Sequence, residues 1–299
     1  MKEGWKTRAI GRHLVDLPSD AKTIESYSYN EDVIEPLQSI NTKSDFDQLV
    51  SLREQALRAA RHARHGSMFI ERVLHANGSV TLISWKRPKS EIFYYFDTYF
   101  QAGSRTLKYS GDVSPSRKAS ALAVCEEMSG EWREIPPGEM PIGIGYVVAD
   151  AILADRDLNL ESWRMIILLP DKPDVSFKIT AYTQRTVEPG LRKRAGGLLA
   201  GLLDTVAGFT QLRNRERSVG SIQADEILVA GTQYGKRTYG FKWEAPGMAD
   251  SLAEPNLNVS LQFGESAYLT NKESFASDDE ALELWDAVVG SLRLRPGAV

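Results

Sequence analysis

The feature that most constrains the fold is a turn between two strand-like segments. Asn77-Gly78 separates residues 67–76 from residues 79–86. This pair is preferred in two-residue type I′ turns because both turn residues need a positive φ. Two more strand-like segments follow at 91–101 and 105–109, the first of them rich in aromatic residues. Short turns connect antiparallel neighbours, so the pattern predicts a four-stranded antiparallel meander.

Helical patterns occur before and after the predicted meander. The first follows Ser44, a good N-cap residue, and its apolar positions are Phe46, Leu49, Val50, Leu57 and Ala60. The second begins at Ser114-Pro115, and its apolar face carries Ala121, Val124, Cys125, Met128 and Trp132. Upstream, residues 8–17 and 22–30 are predicted to pair as a hairpin.

A proline-rich joint divides the chain. Pro136-Pro137-Gly138 favours an extended connection and cannot continue a helix, so we predict an N-terminal domain at 1–137 and a C-terminal domain at 138–299. The second half has helical patterns near Pro189 and Ser277, and strand candidates at 142–153, 162–169, 175–182, 227–233, 236–245 and 256–263. The predicted fold class is α+β, with two domains that each have an antiparallel sheet and helices packed on one side.

The last helix is defined by its ends and by one large side chain. Ser277 and Glu280 have the S-x-x-E spacing of a capping box, and Pro296-Gly297 ends the pattern. One face carries Ala281, Leu284, Trp285, Val288 and Leu292. A tryptophan on this face is large enough to seat the helix against a sheet, so we expect the helix to close a core.

Composition excludes several classes of function. A net charge of −4 and a pI near 5.7 argue against a general nucleic-acid binder. We interpret the cationic stripe of Arg58, Arg61 and Arg64 as a solvated helix face. No apolar run is long enough for a membrane span, so no stable membrane insertion is expected. The single Cys125 excludes an intrachain disulfide and any multi-cysteine metal site.

Short catalytic and cofactor motifs are absent from the sequence. Residues 264–268 lack the second glycine of a nucleophile elbow, and Gly143-Ile144-Gly145 lacks the third glycine of a dinucleotide fingerprint. His62 and His65 have ligand-like spacing, but no third or fourth ligand matches them, and we interpret them as exposed helical histidines. We therefore expect no catalytic residue, cofactor or metal. The aromatic segment 93–100 leaves a stacking platform for ligands as an alternative.

Two sequence blocks resemble a known family. Residues 11–18, Gly-Arg-His-Leu-Val-Asp-Leu-Pro, are similar to the opening of the immunity proteins that bacteria keep against type VI secretion phospholipase effectors, in the family cognate to the fourth lipase class. Residues 284–296 look like the closing helix of that family, and Pro136–Pro141 lies where its C-terminal domain begins. The resemblance covers the whole chain.

The chain departs from the family pattern at several points. Relatives often have a cysteine before the Gly-Arg block, where this chain has Ala9-Ile10, and another near Ile144. His13 replaces a commoner aromatic residue. Relatives usually have an upstream signal or anchor segment, and residues 1–14 lack the apolar core of a signal peptide. The resemblance implies a periplasmic protein, with the cytoplasm as the alternative compartment.

The resemblance implies an inhibitor without catalysis of its own. A two-domain clamp would hold a cognate phospholipase effector, block its lid or active site, and form a 1:1 heterodimer from a monomer. The candidate contact residues, in the cleft expected at the joint, are Trp85, Arg87, Asp155 and Arg156. Two alternatives stay open: a hydrolase with an interdomain site that uses His13 or Asp16, and an envelope module that binds a glycan or lipid.

Overall fold

The computed structural model describes residues 2–38, 40, 42–154, 160–195, 210–233, 236–263 and 275–299. The described chain forms two compact units. Unit 1 comprises Met1–Ser26 and Leu158–Val299, and unit 2 comprises Tyr27–Asp157. These units are defined by which residues pack together, and unit 1 combines both ends of the chain. The predicted domains at 1–137 and 138–299 are instead continuous segments, and that division stays a prediction.

The regular elements follow one another along the chain and are mostly strands. They are β1 (Trp5–Ile10), β2 (His13–Pro18), β3 (Lys22–Tyr29), β4 (Asp32–Leu37), α1 (Lys43–Ala59), β5 (Phe69–Leu74), β6 (Val80–Arg87), β7 (Ser90–Ala102), β8 (Arg105–Val113), α2 (Lys118–Glu131), β9 (Trp132–Glu134), β10 (Tyr146–Val148), β11 (Ala151–Leu153), β12 (Glu161–Leu169), β13 (Lys172–Tyr182), β14 (Thr210–Glu216), β15 (Asp225–Gln233), β16 (Lys236–Ala245), β17 (Asn256–Phe263), α3 (Asp278–Ser291) and β18 (Arg293–Leu294). The predicted α+β class, with antiparallel sheets and helices, is confirmed.

Unit 2 contains the predicted meander. Strands β5 to β8 are antiparallel neighbours in sequence order, and β4 extends the sheet beside β8. The turn at Asn77-Gly78 differs from the prediction. Only Gly78 has a positive φ, of +86°, and the His75 amide donates to the Ser79 carbonyl at 2.8 Å. The loop is therefore longer than a type I′ turn. The consecutive positive φ values occur instead at Asn30 and Glu31, between β3 and β4.

Helix α1 begins slightly earlier than predicted. Thr42, rather than Ser44, is the N-cap, and it forms a capping box with Asp45. The helix ends at Ala59, so Arg61, Arg64 and the two nearby histidines lie beyond it. Its apolar side buries a cluster with the sheet that comprises Phe46, Val50, Leu57, Met68, Val80, Leu82 and Tyr99.

The two helices of unit 2 lie on opposite faces of the meander. Helix α1 packs on Val80 and Leu82 of β6. Cys125 of α2 contacts Thr98, which in turn bonds Thr81, the residue between Val80 and Leu82. Successive side chains of a strand point to opposite faces. The expectation that the helices pack on one side therefore does not hold in this unit.

Residues 142–153 form two short strands instead of one. Strands β10 and β11 form a hairpin, and β11 also pairs with β9. Ala149 turns the hairpin with a φ of +51°. This three-stranded sheet packs within unit 2 although it follows the proline-rich joint.

Unit 1 is built on a six-strand array in the order β14-β15-β16-β17-β13-β12. A second sheet, in the order β1-β2-β18, joins the two ends of the chain. The predicted hairpin of 8–17 with 22–30 is wrong, because β1 and β2 pair with each other around Gly11. Helix α3 agrees with its prediction at the N-cap, Ser277, and in burying Ala281, Trp285 and Val288. The predicted capping box is incomplete, because the Glu280 side chain accepts the Ala276 amide, and the helix ends at Ser291, before Pro296-Gly297. The helical pattern after Pro189 is described only at 191–195, and its glycines lie outside the described residues.

Candidate functional site

A compact patch of aromatic and cationic side chains lies at the tip of the β6–β7 hairpin. It comprises residues 85–94 together with residues 61–65, the segment that follows α1, and we name it the Trp85 patch. The Ala63 amide donates to the Pro88 carbonyl at 2.8 Å, and the Trp85 amide donates to the Met68 carbonyl at 2.9 Å. Backbone hydrogen bonds therefore fix the loop against the hairpin.

A stack of rings forms the centre of the Trp85 patch. The ring centroid of Trp85 lies 4.6 Å from that of His65 and 5.0 Å from that of His62, both in stacked geometry. Tyr94 meets Trp85 edge-on at 5.0 Å. Aromatic pairs at these separations add about 0.5–1.5 kcal/mol each beyond area burial. The half-buried Trp85 is thus held in one orientation.

Ion pairs orient the rim of the stack. His65 Nε2 lies 2.5 Å from Glu91 Oε1, and Arg64 Nη1 lies 2.8 Å from Glu91 Oε2. The hydrogen bond from His65, followed by the charge of Arg64, lowers the pKa of Glu91. Lys86 pairs with Asp112 of β8 and lies 5.8 Å from the ring centroid of Phe93. The Glu91 carboxylate therefore connects the loop of residues 61–65 to the β6–β7 hairpin.

The histidines differ from the sequence interpretation. They are not exposed helical residues, because both follow the end of α1 and His62 is buried beneath Trp85. His62 Nδ1 accepts the Arg64 and His65 amides, each at 3.3 Å. In the described part of the chain no group of three or more histidine, cysteine or acidic side chains has the geometry of a metal site.

The single cysteine is enclosed by a chain of polar side chains. Cys125 Sγ lies 3.3 Å from Thr98 Oγ1, Thr98 bonds Thr81 at 2.7 Å, and Thr81 bonds His75 Nε2 at 2.7 Å. His75 Nδ1 lies 2.6 Å from Glu126. Burial raises the pKa of the Cys125 thiol to about 11. The thiol is therefore protonated at neutral pH and is a poor nucleophile.

The Gly-Arg block of residues 11–18 has a structural role in unit 1. Arg12 is buried and makes a bidentate interaction with Glu161, in which Nε donates to Oε2 at 2.9 Å and Nη2 donates to Oε1 at 2.6 Å. Its Nη1 donates to the Ala298 carbonyl at 2.5 Å. The arginine therefore fastens β12 to the end of the chain. Removing one member of such a buried pair costs about 3–5 kcal/mol.

His13 and Asp16 do not form an acid–base site open to a substrate. His13 is 1% exposed and borders a cavity of about 10 Å³, which has room for about one water molecule. Burial, followed by the charge of Arg12, lowers the pKa of His13 to about 4. Asp16 instead accepts hydrogen bonds from Thr7 at 2.7 Å and from Arg293 at 3.1 Å.

The predicted contact residues have different outcomes. Trp85 and Arg87 lie together in the Trp85 patch, where Arg87 is exposed. Asp155 and Arg156 lie outside the described residues. Lys89, Ile92 and Phe93 lie in the same patch and were not among the sequence candidates, although the charged turn Arg87-Pro88-Lys89 next to an aromatic strand was a visible signal. No helix among the described residues is long and apolar enough to cross a membrane.

Family models cover most of the chain. The N-terminal domain model of Tle cognate immunity protein 4 matches residues 6–124, and the C-terminal domain model of the same family matches residues 139–297. A comparison with curated proteins finds no match.

Solved structures are similar over the full length. The apo structure of the type VI secretion immunity protein TplEi from Pseudomonas aeruginosa is 34% identical, with 99% of each chain covered and a TM-score of 0.93. A chain of the Tle4-Tli4 complex is also 34% identical, with 100% of each chain covered and a TM-score of 0.93. TplEi complexed with "L" peptide is 32% identical over 99% of this chain and 100% of that chain, with a TM-score of 0.88. The chain therefore belongs to the Tle cognate immunity protein 4 family.

Proposed function

We propose that this protein binds a cognate type VI secretion lipase effector as a 1:1 complex and inhibits it. The observation that carries the proposal is the full-length similarity to a chain of a solved Tle4-Tli4 complex, at 34% identity and a TM-score of 0.93. The cell that makes the effector would thereby be protected from its own lipase and from that of its siblings.

The inhibition is stoichiometric, and the protein has no catalytic turnover of its own. Three observations support this part of the proposal. The relatives are named as immunity proteins, and the Cys125 thiol is buried and protonated. His13, the candidate base of the hydrolase alternative, is buried beside a cavity the size of one water molecule. Two domains that clamp the effector would keep lipid from its lid or active site.

The proposed contact residues are Trp85, Arg87, Asp155 and Arg156. The first two have structural support, because an oriented tryptophan next to an exposed arginine is the residue combination enriched in binding hot spots. The other two rest on the sequence alone. We place the protein in the periplasm, where a delivered phospholipase would meet its lipid substrate. Fractionation of cells that express the native gene, followed by immunoblotting, tests this location.

Co-purification followed by an enzyme assay tests the function. The chain is expressed with a cognate lipase effector, and phospholipase activity is measured as the chain is added in increasing molar ratio. We expect a stable complex and a linear loss of activity that ends near one equivalent. Full activity at a several-fold excess of the chain would refute the proposal. Phospholipid hydrolysis by the chain alone would refute the absence of catalysis.

A further inference from the structure

We propose that the Trp85 patch binds an acidic surface of the effector that carries an apolar side chain. This inference rests on the proposed function and specifies the partner of one site. The patch has five cations, at Arg61, Arg64, Lys86, Arg87 and Lys89, and one carboxylate, at Glu91. It therefore has a strong positive charge on a chain whose net charge is −4.

Three of these cations have no counterion in the described part of the chain. Arg64 pairs with Glu91 and Lys86 pairs with Asp112, whereas Arg61, Arg87 and Lys89 are exposed and make no ion pair there. Unpaired like charges close together repel one another, and this repulsion is relieved when an acidic partner binds. The cations therefore favour an anionic partner surface.

Exposed apolar side chains lie within the same patch. Ile92 is 68% exposed and Phe93 is 44% exposed, on the strand that follows the cationic turn. Covering these side chains with a partner removes their apolar area from water and favours binding. A partner that offered only charge would leave this area in water, so the partner surface must also present an apolar side chain.

The patch is already ordered before binding. Trp85, His62 and His65 form one stack, and Glu91 holds the loop and hairpin together. Immobilising a flexible side chain on binding costs conformational entropy, and a side chain that is already held avoids most of this cost. The stack is therefore suited to a protein partner of fixed shape.

A protein surface fits these observations better than a polyanion. Glu91 and Asp112 lie among the cations and would repel the closely spaced phosphates of nucleic acid or anionic lipid. In a protein partner, single acidic residues can pair with Arg87 and Lys89 while an apolar residue meets Phe93. This mixture of a hydrophobic centre and a charged rim is the usual anatomy of a protein interface.

A charge-reversal pair tests the electrostatic half of the inference. R87E/K89E changes two patch cations, and R117E/R133E makes the same charge change at exposed positions of unit 2 outside the patch. Both variants and the wild type are titrated against the cognate lipase effector. We expect R87E/K89E to raise the Kd about 10- to 100-fold and R117E/R133E to leave it within about twofold. Equal effects of the two variants would overturn the inference.

A second pair tests the apolar half. Phe93→Ser removes an exposed patch residue, and Leu74→Ser removes an exposed apolar residue of β5, which is 70% exposed. We expect Phe93→Ser alone to raise the Kd, by about 10-fold. Circular dichroism and thermal unfolding of all variants establish that each remains folded. An unchanged Kd for a folded Phe93→Ser protein would overturn this half.

The experiment also separates failure of the inference from failure of the function. If the wild type binds and inhibits the effector while all four variants do the same, the patch is not the contact surface and the function stands. If the wild type itself does not bind, the proposed function fails. Binding of the wild type, but not of R87E/K89E, to vesicles containing phosphatidylglycerol, with effector affinity unchanged, would assign the patch to a membrane and overturn the inference.

Discussion

At the scale of single residues, position 11 requires glycine for two reasons, its positive φ and the close approach of Trp163. Its φ is +56°, a value that side-chain-bearing residues rarely adopt, and it forms the β1–β2 turn. A Cβ atom placed on it would lie 2.3 Å from Trp163 Cδ1. The glycine therefore permits a hairpin to approach the buried face of β12.

We predict that Gly11→Ala lowers the free energy of unfolding by about 3 kcal/mol, from the strained φ and from displacement of the Trp163 ring. Gly4→Ala is the control, since Gly4 has a φ of +76° but a Cβ atom placed on it would meet no described atom within 4 Å. It should cost about 1 kcal/mol, as measured by urea unfolding. Equal losses in the two variants would contradict the role of Trp163.

His13 is predicted to make the protein sensitive to acid. Burial, followed by Arg12, lowers its pKa to about 4 in the folded chain, compared with 6.5 for an unperturbed histidine. Between these values the unfolded chain binds more protons, so stability is complete above pH 6.5 and is lost as the pH falls toward 4. The linkage corresponds to about 2 kcal/mol lost at about pH 5.

His13→Phe removes this titration while keeping a ring beside Trp163, whose centroid lies 6.0 Å from that of His13. Chemical unfolding of both proteins at about pH 7.5 and about pH 5 measures the effect. Lowering the pH between these values should reduce the free energy of unfolding of the wild type by about 2 kcal/mol more than that of the variant. A constant difference between the two proteins would show that His13 is not buried in its neutral form.

At the scale of elements, α3 is anchored to unit 1 through Trp285. Its ring stacks on Phe177 at 6.0 Å and meets Phe241 edge-on at 5.5 Å, while Nε1 donates to Glu226 Oε1 at 2.8 Å. Glu226 is fully buried and also receives a hydrogen bond from Arg215 Nε at 3.0 Å. The tryptophan therefore supplies both packing area and one hydrogen bond to a buried charge.

We predict that Trp285→Phe costs about 2 kcal/mol, because it keeps most of the packing but leaves Glu226 with one donor fewer. Ser277→Ala removes the N-cap of the same helix, where Ser277 accepts the Glu280 amide at 3.2 Å, and should cost about 1 kcal/mol. Thermal and urea unfolding measure both losses. A Trp285→Phe protein as stable as the wild type would contradict a stabilising role for the bond to Glu226.

Elements with strong local signals were predictable from the sequence. The meander has alternating strands and short turns, and α3 has an N-cap and an apolar face. Its end at Ser291 was not predicted, because Pro296-Gly297 lies beyond β18. The β1–β2 hairpin was missed because its turn, Gly11-Arg12, lies inside a run that alternates like one strand. The short β18 has two residues and depends on β2, which lies near the other end of the chain. Such pairings are set by tertiary contacts, which no local pattern encodes.

The candidate site was predictable only in part. Trp85 and Arg87 were candidates as loop residues near the expected cleft, and both lie in the Trp85 patch, while their role as contact residues stays a prediction. The stack of Trp85 on His62 and His65 could not be identified from the sequence. It brings together the segment that follows α1 and the β6–β7 hairpin, which are well separated in sequence. The interpretation of both histidines as helical failed because α1 ends at Ala59, without a glycine to mark its C-terminus.

At the scale of the whole molecule, the chain is similar to its solved relatives over its full length. Identity of 34% with a TM-score of 0.93 means that the fold is retained while most of the residues differ. On a shared fold, differences in contact residues are what distinguish one partner from another. If the Trp85 patch contacts the effector as proposed, its residues contribute to the choice of partner.

Titration of the effector's phospholipase activity with this chain tests the central claim most directly. The cognate effector is held at a concentration far above the expected Kd, and the chain is added in steps while lipid hydrolysis is recorded. The account predicts a straight decline to background that ends at one equivalent, because tight inhibition consumes the effector one molecule at a time. Activity that persists beyond several equivalents would contradict the account.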